Sequence, residues 1–344
     1  MDERRSSLMA LAGVGLGVYA AARFASRRRR HMDFRGKVVV ITGGSRGLGL
    51  LLARRFGAEG ARLVICGRDD AELGRAEKDL RARGVEVKAV HCDVRLKIAV
   101  EDLVRSAVEA YGGVDVLVNN AGVIQVGPLE LMTEADYDEA MDTHFWGPLH
   151  AMMAVYPLMR GRGGGRIVNI SSIGGKIAVP HLAPYCASKF ALAGLSSALH
   201  TELAKDNVFV TTVYPGLMRT GSHINALFKG QHRKEFALFS LANGLPFTSV
   251  SAESAARQII AAVAGGKSEL IISVQARTAA KINALLPEAT AAALAIIDRL
   301  LPENGGIGPR YAAGYESTSA ISPSILTSLL DNASVRNNEI PAPI

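Results

Sequence analysis

The chain has 344 residues, 49% hydrophobic and 21% charged, enough for a sizeable core in one or two domains. Its three cysteines are odd in number and widely spaced, which offers neither a disulfide framework nor metal-ligand spacing. The net charge of +7 is local: residues 1–37 hold nine basic and three acidic side chains, so the remaining body is close to neutral and gives no support for nucleic-acid binding.

Ser6 to Ala22 is an uncharged run of 17 residues, almost wholly apolar from Leu8, and Arg23 and then Arg27 to Arg30 follow it. That length sits at the low edge of a bilayer span, and it reaches Ser26 if Arg23 snorkels to the interface. The expectation is a membrane anchor in residues 6–26 within an N-terminal segment, 1–32. The positive cluster on its C-terminal side places the rest of the chain in the cytoplasm. A cleaved signal peptide ending near Ala22 and a soluble cytoplasmic chain are the alternatives.

Lys37-Val38-Val39-Val40-Ile41 is a short β-branched run of the kind that forms a fully buried strand. It leads into Thr42-Gly43-Gly44-Ser45-Arg46-Gly47-Leu48-Gly49 and then a helical pattern from Leu50 to Gly60. Strand, glycine turn and helix in this order make a dinucleotide cradle. Glycines let the backbone approach a pyrophosphate, and the helix N-terminus supplies free N–H groups. The next strand, Arg62 to Cys66, ends in Gly67-Arg68 where a NAD site would carry an acidic residue. Arg46 and Arg68 together suit a 2′-phosphate, which points to NADP(H). The alternative is that both are solvated charge, with Asp69 and Asp70 forming local pairs.

Further strands are expected at Val114 to Val118, before Asn119-Asn120-Ala121-Gly122, and at Ile167 to Ile170, before Ser171-Ser172. Tyr185 and Lys189 are four apart and share a helix face. There the ammonium favours the phenolate and lowers a pKa that is ordinarily about 10. A serine hydroxyl can hydrogen-bond the same substrate oxygen, as proton removal from an alcohol during hydride transfer requires. Strand and helix patterns alternate through Val274, which implies one α/β domain over 33–274: a Rossmann-type, doubly wound parallel sheet flanked by helices.

Taken together these motifs resemble the short-chain dehydrogenase/reductase family, over roughly Asp33 to Val274. The resemblance implies cofactor contacts from Thr42, Gly43, Ser45, Arg46, Gly47, Leu48 and Gly49 in the turn, and from Asp93 and Val94 at the adenine. It implies further contacts from Asn120, Ala121 and Gly122, from Pro215 and Gly216, and from Thr220 at the nicotinamide carboxamide. Tyr185 would be the general acid/base. Lys189 would tune it and bind the nicotinamide ribose, and Ser172 would position the carbonyl or hydroxyl, with Ser171 as its rival. The family usually places an asparagine on the helix after Asn119 to Gly122, where it holds a relay water. By register His144 stands there, either as a modified proton relay or as a packed ring with its nitrogens satisfied.

Leu217 to Phe247 lies where the family carries its lid, and mixes apolar side chains with His223, Lys229, His232, Arg233 and Lys234. Such a lid suits a lipophilic substrate and could rest on a membrane; the alternative is an ordinary amphipathic helix pair covering the core. His181 edges the pocket or is simply exposed. The extension, 275–344, reads as helix from Ala276 to Leu301, with Pro287 interrupting it or starting a second helix. An irregular tail follows, with a short helix around Ser324 to Asn332. The expected function is an NADP(H)-dependent oxidoreductase interconverting an alcohol and a carbonyl on a lipophilic (steroid-, retinoid- or lipid-like) substrate at a membrane, as a homo-oligomer. The rivals are a soluble carbonyl reductase for polar or xenobiotic substrates and a non-catalytic NADP-binding scaffold.

Overall fold

The computed structural model of the chain describes residues 31–319, 322–324 and 327–340. The run expected to anchor in a membrane, residues 6–26, lies outside the described residues. Among the described residues no helix is long and apolar enough to cross a membrane.

Seven parallel strands form the central sheet: β1 (Val38–Thr42), β2 (Arg62–Gly67), β3 (Val87–His91), β4 (Val116–Asn119), β6 (Gly165–Ile170), β7 (Val208–Pro215) and β11 (Glu269–Ile272). Their order is β11-β7-β6-β4-β1-β2-β3. The chain steps one way from β1 to β2 and β3, then returns to β4 on the other side. The crevice between the carboxyl ends of β1 and β4 is therefore the topological switch point, where open α/β sheets bind ligands.

Strand side chains alternate between two layers. Val39 and Ile41 pack with α1 (Gly47–Ala58), α2 (Asp70–Ala82) and α8 (Ala252–Ala264), whereas Val40 packs with α3 (Lys97–Tyr111) and α5 (Gly147–Gly161). Between β4 and β6 lie the short β5 (Gln125–Val126), α4 (Glu134–Met141) and a π-turn, Asp142–Trp146, which runs into α5. The long α6 (Ala183–Leu203) follows β6 and carries Tyr185 and Lys189.

The lid region is built from β8 (Met218–Arg219), β9 (Leu227–Phe228), α7 (His232–Gly244) and β10 (Val250–Ser251). The extension begins with α9 (Val274–Leu285) and α10 (Pro287–Asp298). Pro287 thus starts a second helix, in the position where its missing N–H costs nothing. The tail is more ordered than its composition implies. β12 (Ala312–Ala313) pairs antiparallel with β9, which itself runs parallel to β5. The last helix is α11 (Ser328–Arg336), four residues later than expected at each end. A buried ion pair supports this region: Lys229 Nζ lies 2.5 Å from Asp136 Oδ2, and the hydroxyl of Tyr311, from the extension, donates to the same carboxylate. The sequence names Lys229 only as one of the charged residues of the lid. Its side chain is 2% exposed because Asp136 on α4 neutralises it.

The glycine turn leaves no slack. A Cβ on Gly49 would fall 2.0 Å from Gly43 O and 2.5 Å from Asn120 Nδ2. Gly49→Ala is expected to destabilise the fold by ~1–3 kcal/mol through overpacking and to weaken dinucleotide binding. Urea unfolding alongside ligand titration checks both, and an unaltered variant would contradict the packing described.

Candidate active site

The turn after β1 is held from the β4 side. Asn120 Nδ2 donates to Thr42 O (3.2 Å) and Gly43 O (2.9 Å), while Asn120 N and Ala121 N donate to Thr42 Oγ1 (3.0 and 3.2 Å). A Cβ on Gly43 would lie 2.8 Å from Ala121 Cα, so the two motifs meet backbone to backbone. Gly47 has φ +57, a left-handed conformation that glycine adopts without strain. Arg46, at the N-cap of α1, makes no side-chain cap, and the first turn carries no acidic residue. An amide-rich helix end framed by glycines suits a pyrophosphate.

Arg46 lies at this end, with Nη1 2.8 Å from Glu72 Oε1 and Nε 3.4 Å from Glu339 Oε2. Arg68 is exposed just beyond β2 and near enough to pull on the Asp93 carboxyl. Asp69 caps α2 by accepting Glu72 N–H at 2.8 Å, and Asp70 pairs with His91 at 2.8 Å, so neither acid takes Arg68 as its hydrogen-bonded partner. Asp93 itself grips Arg95, Oδ2 to Nη2, at 2.6 Å. Burial raises its carboxyl, but the Arg95 hydrogen bonds outweigh that and leave it below the usual range. Val94 is buried against Gly147, where a Cβ would meet Val94 O at 2.9 Å.

Ser172, Tyr185 and Lys189 converge beyond the end of β6. Ser172 Oγ accepts Gly174 N–H at 3.0 Å and lies near enough to the phenol of Tyr185 to pull its pKa down. Ser171 is occupied elsewhere, since its hydroxyl donates to Lys189 O at 3.0 Å. Lys189 Nζ donates to Ile170 O at 2.9 Å and stands 5.6 Å from the centre of the Tyr185 ring. The electrostatics differ from the expectation of a lysine pulling the phenol down. Burial pushes Tyr185 up to about 12, against the pull of the nearby Ser172 hydroxyl, and burial draws Lys189 down to about 7. Lys189 is buried and Tyr185 half-buried, and this loss of solvation makes each resist its charged form.

His144 is also buried, and its ring has the packed, hydrogen-bonded arrangement that was the second of the two readings. Its Nε2 accepts Val123 N–H at 3.1 Å, so in the neutral ring Nδ1 bears the proton and donates to Ser188 Oγ at 2.8 Å. Ser188 in turn donates to Tyr185 O at 2.9 Å. Both nitrogens are taken. Burial, followed by the charge of Lys189, holds the ring well below the usual histidine pKa. The imidazole packs edge-on against Tyr185, with centroids 5.5 Å apart, and positions it.

Pro215 ends β7 and Gly216 follows, where a Cβ would lie 2.9 Å from Ser273 Oγ. Thr220 is buried, with its hydroxyl donating to Ser222 Oγ at 2.8 Å. Gly122 borders the His144 ring, and its Cβ would lie 3.8 Å from Lys189 Nζ. Leu48 is buried in the first turn of α1, and Ser45 beside it. His181 is neither free nor exposed: its Nδ1 lies 2.6 Å from Glu235 Oε1 of α7, which ties the loop before Tyr185 to the lid.

Sequence reasoning missed a buried polar chain beneath the site. Asn119 Nδ2 donates to Asn169 Oδ1 (2.8 Å), Asn169 Nδ2 to Ser196 Oγ (2.9 Å), and Thr212 Oγ1 to Ser196 Oγ (2.7 Å). It cross-links β4, β6, α6 and β7 behind the catalytic residues. Its available signal was Asn169 inside the otherwise apolar run Ile167-Val168-Asn169-Ile170, because a polar side chain buried there needs partners.

A family model described as short chain dehydrogenase matches residues 37–227. Dehydrogenase/reductase SDR family member 7B of Danio rerio is 37% identical over 229 residues, covering 62% of this chain and 74% of that protein. The solved structure of L-sorbose reductase from Gluconobacter frateurii, with NADPH and L-sorbose, matches with a TM-score of 0.63 at 29% identity, over 70% of this chain and 97% of that one. A variant of actinorhodin polyketide ketoreductase, solved with NADPH, matches with a TM-score of 0.62 at 33% identity over the same shares. With the glycine turn, the Asn119 to Gly122 clamp and the Ser172–Tyr185–Lys189 cluster all in one crevice, the chain belongs to the short chain dehydrogenase family and is an oxidoreductase of alcohols and carbonyls.

Proposed function

We propose that this protein is an NADP(H)-dependent carbonyl reductase, with Tyr185 as proton donor, for a lipophilic ketone or aldehyde. The observation that carries this is the convergence of Ser172, Tyr185 and the buried Lys189 at the crevice. NADP(H), when bound, supplies or accepts the hydride. The glycine turn and α1 N-terminus would hold its phosphates, and Arg46 and Arg68 its 2′-phosphate. Ser172 Oγ and the Tyr185 hydroxyl both address the substrate oxygen. With its pKa near 12 the phenol keeps its proton at neutral pH and can deliver it to an alkoxide, which is the stronger base. The charged form of Lys189 steadies the phenolate that remains, while His144 and Ser188 keep the ring in place. In oxidation the same proton path runs in reverse.

The lipophilic substrate is supported by the apolar cluster between the catalytic loop and the lid. Phe228 and Phe236 form its core, with half-buried Leu182, Ile224 and Phe239 packed on it. The L-sorbose reductase likeness favours a second reading, a polar carbonyl substrate. Turnover of a decanone against a ketose decides between them. Residues 6–26 are proposed to attach the enzyme to a membrane facing the cytoplasm, which fractionation with and without that segment tests. Exposed Trp146, Met153 and Phe190 are the apolar side chains that pairing into a homo-oligomer would cover.

Tyr185→Phe should lower kcat by at least about 10²–10⁴-fold while leaving NADPH affinity unchanged; a scaffold's function would survive it. Arg68→Ala should weaken NADPH binding by about tenfold or more without affecting NADH, and equal losses for both would contradict the 2′-phosphate assignment. Lys189 has a folded-state pKa lowered from 10.5 to about 7. The cost of burying it is therefore fully present below pH 7 and is relieved as the pH climbs towards 10.5. Lys189→Met should be inactive, and its stability relative to the wild type should be greatest at pH 7 and decline by pH 10, as read by urea unfolding. A pH-independent difference would contradict the burial of an uncompensated amine.

A further inference from the structure

The last described residues of the chain lie on the glycine turn. α11 packs Leu330 and Ala333 inward and brings Ser334 against Gly221, where a Cβ would meet Ser334 Cα at 2.4 Å. Beyond the helix, Asn337 O accepts Gly47 N–H, the first amide of α1, at 2.8 Å. Asn337 Nδ2 donates to Thr220 O at 2.9 Å. Asn338, at φ 59, donates from Nδ2 to Ser45 O and Glu72 O at 2.8 and 2.9 Å, and its Oδ1 accepts Arg75 Nε at 2.7 Å. The Glu339 side chain is 3% exposed, with Oε2 3.4 Å from Arg46 Nε and accepting Asn225 Nδ2 at 2.7 Å. Its Oε1 sits directly over Gly47, where a Cβ would come within 2.5 Å.

We propose that residues 337–339 are an internal occupant of the dinucleotide cradle, a latch that sets a carboxylate in the place of a phosphate and that NADP(H) has to displace. This rests on the cradle being the NADP(H) site. The latch meets both demands a phosphate makes there. An acceptor takes an amide at the helix N-terminus, and an anionic group faces the arginine of the turn. Burial pushes the Glu339 carboxyl up to about 7, with Arg46 and Asn225 pulling the other way. Ser45, Arg46, Gly47 and Thr220 were each assigned to the cofactor from sequence, and all four are engaged by three consecutive tail residues. While the latch is seated, the apparent affinity for NADP(H) falls by the fraction of molecules that are open.

The test is NADPH titration, followed by nucleotide fluorescence, of the full chain, of a full-length Asn338→Ala/Glu339→Ala variant and of a chain ending at Arg336. Both altered chains should bind about tenfold more tightly. In the wild type, NADPH should accelerate tryptic cleavage after Arg336, whose side chain is 64% exposed. Equal or weaker binding by the double variant, or slower cleavage with NADPH, would overturn the latch and make the tail a strap over the bound dinucleotide. If no form binds NADPH or NADH, the cofactor assignment fails and the latch fails with it.

Discussion

The backbone contact between Gly49 and Gly43 governs the active-site end of this protein. With 2.0 Å between Gly43 O and the place a Cβ would take, α1 can start against the β1 turn only because no side chain intervenes. Asn120 closes the contact from β4 by donating to Thr42 O and Gly43 O. This ties the two strands that diverge at the switch point and leaves the helix N-terminus facing the crevice. An anion site follows from that geometry before any charged side chain is counted.

The catalytic cluster is arranged on a second buried scaffold. Asn169 and Ser196 join β6 to α6, and Thr212 extends the link to β7. The segment ending in Ser172 and the helix carrying Tyr185 and Lys189 are thereby cross-linked from behind. In front, His144 connects Val123 to Ser188 and rests its edge on Tyr185. Packing this dense strips water from the amine and much of it from the phenol, and it moves their pKa values apart, the phenol up and the amine down. That brings proton donation by Tyr185, and charge on Lys189, under the control of burial.

The features legible in the sequence are those set by local spacing. The glycine turn and the Tyr185/Lys189 pair depend on neighbours within eight residues, and the alternation of buried strands with helices indicated the parallel sheet. Features set by distant partners were hidden. Lys229 reads as one more lid charge until Asp136 and Tyr311 are brought to it. His144 reads as a relay or a packed ring until Val123 and Ser188 occupy its nitrogens. The tail residues Asn337 to Glu339 have no pattern of their own, and their partners Ser45, Arg46 and Gly47 lie near the opposite end of the chain. Arg46 was singled out as a phosphate-facing charge, but that reasoning gave no hint of an acid from the same chain already beside it.

The central claim is that the crevice at the glycine turn delivers NADP(H) to Tyr185. A crystal structure of the full chain with NADPH tests it most directly. The account predicts phosphate density on the α1 N-terminus, the nicotinamide within reach of Tyr185 and Ser172, and the Glu339 carboxylate gone from Gly47. A dinucleotide bound away from the β1–β4 crevice, or with its nicotinamide remote from Tyr185, would contradict it.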